Sequence, residues 1–286
     1  MVQKYDCTHC GHTTTITLPS SILFNLFVGI SGIAVFIYGC LKNKAFFILL
    51  SSDILSTLAA VFLGFLFTLY VFGSSIVSII AFLDKPVPEE ILKKIFTAAQ
   101  LAPSNCNVQP WQVYVVSGSQ KDALKDKLTE ALMSGNPPNP DFDWGIRYEG
   151  IHRDRQFESA NVLYGSMGIE RSDKESRMTA LIRNWTFFDA PHVLFFTMEK
   201  YLNIMGAVDM GIYAQTLTLL MSEKGIGRCF QGALGQFPDP VKAFLNIPDG
   251  RGILFGMSFG YADEKAVVNT ARTGRVPIDT SVVFSG

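Results

Sequence analysis

The sequence lacks an excess of either charge, because 24 Lys and Arg residues stand against 25 Asp and Glu. A nucleic-acid-binding surface needs clustered basic residues, so this balance gives no reason to expect a polyanionic partner. Cysteine is also scarce, with five residues at positions 7, 10, 40, 106 and 229. An odd number at irregular spacing makes no disulfide framework and predicts a reducing compartment. The sequence contains no nucleophile elbow and no metal-binding triad.

Charge is almost absent between residues 20 and 83, where only Lys42, Lys44 and Asp53 carry it. Residues 22–41 and 54–73 are uncharged runs of about 20 residues, the length that spans a bilayer as a helix. Each run alone could be a buried core helix, but two in tandem favour a transmembrane helical hairpin. The chain then divides into a polar leader (1–18), a membrane hairpin (19–74) and a folded domain (75–286).

The leader contains a Cys-x-x-Cys-Gly turn formed by Cys7 and Cys10. This spacing is half of a zinc ribbon, and the second half is missing. Three interpretations stay open: His9 and His12 complete a zinc site, two chains pair their turns, or no metal binds.

From residue 84 onward, charge returns and the hydrophobic pattern alternates between helical and strand periods. His152 and His192 have no partner in the sequence and are expected to be structural. The pattern predicts helices at 89–101, 121–133 and 209–223, mostly helical structure at 148–184, and strands at 111–116, 190–198, 252–261 and 279–284.

The most specific stretch is residues 102–111, Ala-Pro-Ser-Asn-Cys-Asn-Val-Gln-Pro-Trp. Pro103 and Pro110 stiffen this loop between a helix and a strand, and its Ser and Asn side chains offer hydrogen-bonding groups close to the main chain. Taken alone, it could be an ordinary connection. The string, however, closely resembles the Ala-Pro-Ser-x-x-Asn-x-Gln-Pro-Trp signature of the FMN-dependent nitroreductase family.

Three further segments resemble that family in the same order along the chain. Residues 208–227 resemble its long central helix and glycine end, and Cys229-Phe230-Gln231-Gly232 resembles the segment whose backbone faces the flavin N5 region. Residues 269–277, with Arg272 and Arg275, resemble its phosphate-binding arginine motif. The resemblance covers roughly residues 75–286, and residues 163–171 and 183–191 are most similar to the p-nitrobenzoate reductase type.

The resemblance implies an α+β fold, with a mixed sheet flanked by helices, in an intertwined homodimer that binds FMN at the subunit interface. Hydride would pass from NAD(P)H to flavin N5 and on to a small nitroaromatic or quinone-like acceptor, so no side chain is expected to be catalytic. Phe187 and Phe188 are candidates to line a pocket for a flat substrate. Together with the predicted hairpin, the resemblance implies a membrane-anchored protein whose catalytic domain faces the cytoplasm. The cofactor-binding residues implied are Ser78, Pro103, Ser104, Asn105, Asn107, Gln231, Gly232, Arg272 and Arg275.

One departure from the family concerns its opening Arg-Ser-x-Arg motif, which aligns here with Val77-Ser78-Ile79-Ile80. Both arginines are replaced by apolar residues. Either the membrane run extends into this segment and Arg272 and Arg275 hold the phosphate, or the chain is a degenerate, non-catalytic membrane-anchored relative with a scaffold or assembly role. A misplaced gene boundary upstream of residue 84 is a third explanation.

A membrane-anchored dehalogenase of the iodotyrosine deiodinase type is a further alternative, since those enzymes share the fold. Their signature loop differs from residues 107–111, and no segment here matches their substrate-clamping lid.

Overall fold

The computed structural model describes residues 2–6, 13–17, 78–135, 137–143 and 145–286. The chain forms two compact units, Met1–Ser75 and Ile76–Gly286. In the first unit, strand β1 (Val2–Asp6) pairs antiparallel with β2 (Thr13–Thr17). The predicted membrane hairpin and the Cys7–Cys10 turn lie outside the described residues.

The second unit is built from four further strands and six helices among its described residues. In chain order these are α1 (Glu89–Ala99), β3 (Gln112–Ser117), α2 (Gly118–Met133), α3 (Gly150–Ser166), α4 (Lys174–Ile182), β4 (His192–Glu199), α5 (Asn203–Glu223), β5 (Ile226–Gln231), α6 (Pro238–Leu245) and β6 (Arg251–Tyr261).

The four strands form an antiparallel sheet in the order β3-β4-β6-β5. Residues 78–82 extend its β5 edge: Ser78 makes a parallel bridge to Arg228, and Phe82 makes an antiparallel bridge to Ala262. The parallel bridge makes the sheet mixed, as predicted. Strands β4 and β6 are buried along nearly their whole length, because helices cover both faces.

Each face of the sheet has its own hydrophobic core. On one face, α1 and α5 pack against residues such as Leu194, Phe196 and Met257. On the other, α2 and α6 pack against Val193, Phe195 and Ile253. Alternate residues of β4 therefore belong to different cores, as the two-residue period of a strand requires.

Helix α1 begins where the sequence predicts. Pro88 precedes it, and Glu89 and Glu90 occupy the first turn, where the helix dipole favours negative charge. Glu89 also pairs with Lys93 at 2.7 Å. Leu92, Ile95 and Ala99 form its buried face.

Two elements were not predicted, and one predicted element is wrong. Strand β5 reads Ile-Gly-Arg-Cys-Phe-Gln, and neither glycine nor arginine is typical of a buried strand. Helix α6 has only eight residues and begins at a proline. Residues 279–284, expected to form a strand, instead contain the end of a 3₁₀ turn, Ile278–Thr280, followed by irregular chain, because none of the described strands pairs with them.

Within the described residues, one segment, Lys200–Glu223, is long and apolar enough to cross a membrane. It includes α5, whose residues Met210, Tyr213 and Leu217 are buried in the core against the sheet. The burial of these residues identifies α5 as a core helix.

Candidate functional site

The loop at residues 102–111 follows α1 and is fixed by the elements around it. The backbone N–H of Asn105 donates to Asp209 Oδ1 on α5 at 3.0 Å, and the N–H of Gln109 donates to Ser104 Oγ at 3.0 Å. At the end of the loop, the Trp111 ring stacks on Tyr213 with ring centroids 4.7 Å apart. The loop is thus attached to α5 at two points.

The backbone of this loop is strained. Cys106, Asn107 and Gln109 have φ angles of 49°, 56° and 45°, in the left-handed region that residues with a Cβ rarely occupy. Pro103, Asn105 and Asn107 are exposed, and Ser104 is half-buried. Strain of this kind is maintained only by surrounding contacts and concentrates at ligand-binding sites.

At the end of β5, Gln231 is buried whereas Gly232 is exposed. Gln231 is 2% exposed. Its Nε2 donates to the Asn184 carbonyl at 2.8 Å, and its Oε1 accepts a hydrogen bond from the Ser258 hydroxyl. At Gly232, an added Cβ would meet no atom within 4 Å. The Gln231 side chain is therefore occupied within the core, whereas the backbone at Gly232 borders open space.

Residues 78–82 and the segment around Asn269 are joined directly. Asn269 Oδ1 accepts hydrogen bonds from the N–H groups of Ile80 (3.0 Å) and Ala81 (3.2 Å), and its Nδ2 donates to the Ala81 carbonyl at 2.7 Å. The N–H of Ile79 donates to the Arg228 carbonyl at 2.9 Å. Three of the four segments predicted to form the site therefore meet at residues 78–81.

The two arginines of the C-terminal motif bond mainly to nearby main chain. Arg272 Nη1 donates to the carbonyls of Asn269 (2.7 Å) and Ala271 (2.9 Å), and Arg275 Nη1 donates to the Gly274 carbonyl at 2.8 Å. Neither pairs with a carboxylate among the described residues. Their positive charges are therefore available to an anionic ligand.

The structure adds two arginines that the sequence did not single out. Arg183 Nη2 donates to the Ile80 carbonyl at 3.1 Å. Arg228 lies on β5 beside Ser78 and is 7% exposed. Arg183 opens the 183–191 stretch but was not predicted to bind a ligand, and Arg228 belongs to no motif. Only the pairing of residues 78–82 with β5 brings Arg228 close to them.

The other predicted residues fall in different surroundings. Phe187 is fully buried and packs edge-on against Phe195, so its ring fills the core of the protomer instead of lining an open pocket. Phe188 packs with Ile80 and Cys229. Val77, Cys7 and Cys10 lie outside the described residues. Elsewhere in the described chain, no group of three or more His, Cys, Asp or Glu side chains is placed to hold a metal.

Two buried titratable groups near the sheet are structural. His192 Nε2 accepts from the Val87 N–H at 2.8 Å, its Nδ1 bonds with Ser117 Oγ at 2.5 Å, and burial lowers its pKa to about 4. The structural role predicted for His192 is therefore confirmed. Burial raises the pKa of the Cys229 thiol to about 12, so this cysteine is a protonated core residue at neutral pH.

Comparisons with known proteins identify relatives over the same part of the chain. Residues 77–261 match the model of the nitroreductase family. Nitroreductase NfnB of Mycolicibacterium smegmatis is 38% identical over 210 residues, covering 72% of this chain and 87% of the relative. The 4-nitrobenzoate reductase of Pseudomonas putida is 35% identical over 201 residues, covering 68% of this chain and 86% of the relative.

A solved structure agrees with these matches. The FMN-dependent nitroreductase NfnB from Mycobacterium smegmatis, crystallised in complex with NADPH, superimposes with a TM-score of 0.71 at 36% identity. The superposition covers 73% of this chain and 94% of the relative. The chain therefore belongs to the nitroreductase family of oxidoreductases.

Proposed function

We propose that this protein is a membrane-anchored FMN-dependent oxidoreductase, which takes hydride from NADPH or NADH and reduces a nitroaromatic or quinone-like acceptor. The observation that carries the proposal is the meeting of residues 78–81 with Arg228 on β5 and with Asn269, to whose carbonyl Arg272 donates. The names of the relatives support FMN, NADPH and nitroaromatic acids as ligands of those proteins.

The residues present fit FMN. A flavin phosphate needs cationic donors. Arg183 and Arg228 contact residues 78–81, although Arg183 also pairs with Asp189 at 3.7 Å, and Arg272 bonds to Asn269, which holds that segment. A planar ring needs main-chain donors with open space beside them, which Gly232 provides. When bound, FMN supplies hydride transfer between nicotinamide and acceptor, and the protein orients it and sets its electrostatics.

Each element of the site has a distinct task in this proposal. Ser104, Asn105 and Asn107 offer polar groups from a loop that Asp209 holds in place. The end of β5 presents backbone, and the arginines neutralise the phosphate by charge-assisted hydrogen bonds. Phe188, which is 7% exposed and packs against Ile80, is retained as a candidate contact of the substrate.

Homodimer formation is part of the proposal, and α5 supports it. One side of α5 packs in the core, but Ile204, Met205, Val208, Ile212 and Leu219 on its other side are exposed. Their spacing places them along one face, which we call the α5 stripe. An exposed apolar face of this kind, here interrupted by Gln215, marks an interaction site, and a second copy with the same stripe provides a matching surface.

Membrane anchoring rests on the sequence of residues 19–74, in which two uncharged runs are separated by residues 42–53. The catalytic unit is proposed to face the cytoplasm, where nicotinamide cofactors are available.

The test uses full-length protein purified in detergent. We expect a flavin absorbance spectrum and oxidation of NADPH or NADH on addition of 4-nitrobenzoate or a quinone. Comparing the two nucleotides and the two acceptors at equal concentrations establishes the preferences. Colourless protein that takes up no added FMN would refute the proposal.

A non-catalytic scaffold role is the second candidate, and one observation favours it. Ile80, at the position of a family arginine, is buried against Phe188 and Cys229. The same FMN titration separates the two candidates, because a scaffold that has lost the cofactor binds no flavin.

A further inference from the structure

Arg228 is a buried cation without a complete set of partners. It is 7% exposed, and its Nε and Nη2 atoms are buried with no hydrogen-bond partner. Buried charges in proteins are normally paired, because removing a charge from water is costly unless another group compensates for it. Burial lowers the pKa of Arg228, but a guanidinium stays protonated in proteins.

The described residues around Arg228 do not provide a counter-ion. None of the ion pairs among the described residues includes Arg228. Across the sheet, Arg228 is paired with Phe259 on β6, which in turn is paired with His192 on β4. Phe259 is apolar, and the lowered pKa of His192 keeps it neutral at neutral pH. An anion from outside the described protomer would satisfy the guanidinium.

The position of Arg228 points to the kind of anion. Its side chain leaves β5 on the same side as Phe230, two residues further along, and Phe230 contacts Phe196 on the face covered by α5. The loop at 102–111 is attached to that same helix through Asp209. Arg228 also borders Ser78, in the segment where the family has two arginines and this chain has Val77 and Ile80.

We propose that Arg228 binds the phosphate of FMN and takes over the charge of the arginines that are missing at positions 77 and 80. The inference rests on the proposed function, since it requires that FMN binds. The phosphate supplies the oxygen acceptors that Nε and Nη2 lack, and a guanidinium can bond two of them at once. Ile80 can therefore remain an apolar core residue while the site keeps a cation.

The test compares two ligands that differ only by the phosphate. Full-length apoprotein in detergent is titrated with FMN and with riboflavin, and quenching of flavin fluorescence gives each affinity. We expect the wild-type protein to prefer FMN. In Arg228→Met, FMN affinity should fall by roughly 10-fold to 100-fold, as expected for loss of a charged hydrogen bond, while riboflavin affinity stays unchanged.

Two further variants control the experiment. Arg228→Lys keeps the charge without the planar fork, so we expect an intermediate FMN affinity. Arg177→Met removes an arginine that lies over the Tyr164 ring on the helical segment α3–α4, and it should leave both affinities unchanged. Thermal unfolding of the apoprotein checks that each variant is folded. Arg228→Met is expected to be no less stable than wild type without flavin, because it removes an uncompensated buried charge.

Several results would overturn the inference. An equal loss of FMN and riboflavin affinity in Arg228→Met would show a purely structural role. An unchanged preference for FMN, together with conversion of a dimer to a monomer, would assign the guanidinium to an acidic group of a second copy. Failure of wild-type protein to bind either flavin would refute the proposed function itself, which distinguishes that failure from failure at Arg228 alone.

Discussion

At the scale of residues, the buried polar side chains of this protein show how completely a folded chain satisfies such groups. Asn269 uses both ends of its amide on residues 80 and 81, and Gln231 bonds to Asn184 and Ser258. Asp209 accepts a hydrogen bond from the N–H of Asn105. Two donors of Arg228 and the indole N–H of Trp185 are the exceptions among the described residues, and Arg228 is the charged one of the two. The unpaired charge is the reason for assigning a ligand to Arg228.

His192 should make stability depend on pH. Its pKa is lowered from 6.5 to about 4 in the folded protein, first by burial and then by the charge of Lys121. Between these values the unfolded chain binds more protons, so stability is full above about pH 6.5 and falls as pH decreases toward 4. The total effect is on the order of 3 kcal/mol.

Denaturant unfolding between pH 4 and pH 7 measures this dependence. His192→Gln is the matched control, because its amide oxygen can still accept from the Val87 N–H but does not titrate. We expect the variant to have a flatter stability profile over that range. An equal slope in both proteins would show that other groups cause the dependence.

At the scale of elements, α5 shows how one helix can serve two surfaces. Its apolar residues are distributed around the whole helix, which normally indicates a helix buried throughout. Met210, Tyr213 and Leu217 meet the sheet, whereas the α5 stripe is exposed in the protomer. A helix of this composition needs a partner that buries its second side, and we propose that this partner is α5 of a second copy.

Val208→Lys places a charge in the middle of the α5 stripe. In a dimer that buries this stripe, the two lysines would be forced together out of water, so we expect the variant to be largely monomeric. Sedimentation of the detergent-solubilised protein, corrected for bound detergent, measures the change.

Met178→Lys is the control for the α5 substitution, since Met178 is an exposed apolar residue on α4. It should leave the oligomeric state unchanged. A Val208→Lys protein that remains dimeric would place the interface elsewhere.

At the scale of the whole molecule, the chain separates into Met1–Ser75 and Ile76–Gly286. The family match at residues 77–261 falls entirely within the second unit. The first unit contains the two uncharged runs proposed to cross the membrane. Anchoring and catalysis are thus proposed to be carried by different parts of the chain.

Removing residues 1–75 tests this division. We expect the full-length protein to sediment with membranes and to need detergent for release, because its two apolar runs match the thickness of a bilayer. The 76–286 fragment should appear in the soluble fraction after cell lysis. Fractionation followed by immunoblotting measures both proteins.

Alkaline carbonate washing provides the control, since it removes proteins that are only attached to the membrane surface. Full-length protein that is released by this wash would contradict the spanning hairpin. A 76–286 fragment that stays with the membrane would place an anchor in the second unit, where the α5 stripe is the exposed candidate.

The sequence by itself determined the family, because the loop at 102–111 combines two prolines with short polar residues in one specific order. It also predicted α1, α2, α5 and the strands β3, β4 and β6, since each is an amphipathic or apolar run of the length of a helix or a strand. These features are local, so they can be read from neighbouring positions along the chain.

Only the tertiary structure decided how the site is assembled. Strand β5 contains a glycine and an arginine, and its identity depends on pairing with β6 and Ser78. The placement of Arg183 at the Ile80 carbonyl and the burial of Gln231 and Phe187 depend on residues far away in the sequence. That two donors of Arg228 have no partner can be recognised only in the folded molecule, because hydrogen bonding of a buried group depends on all of its neighbours.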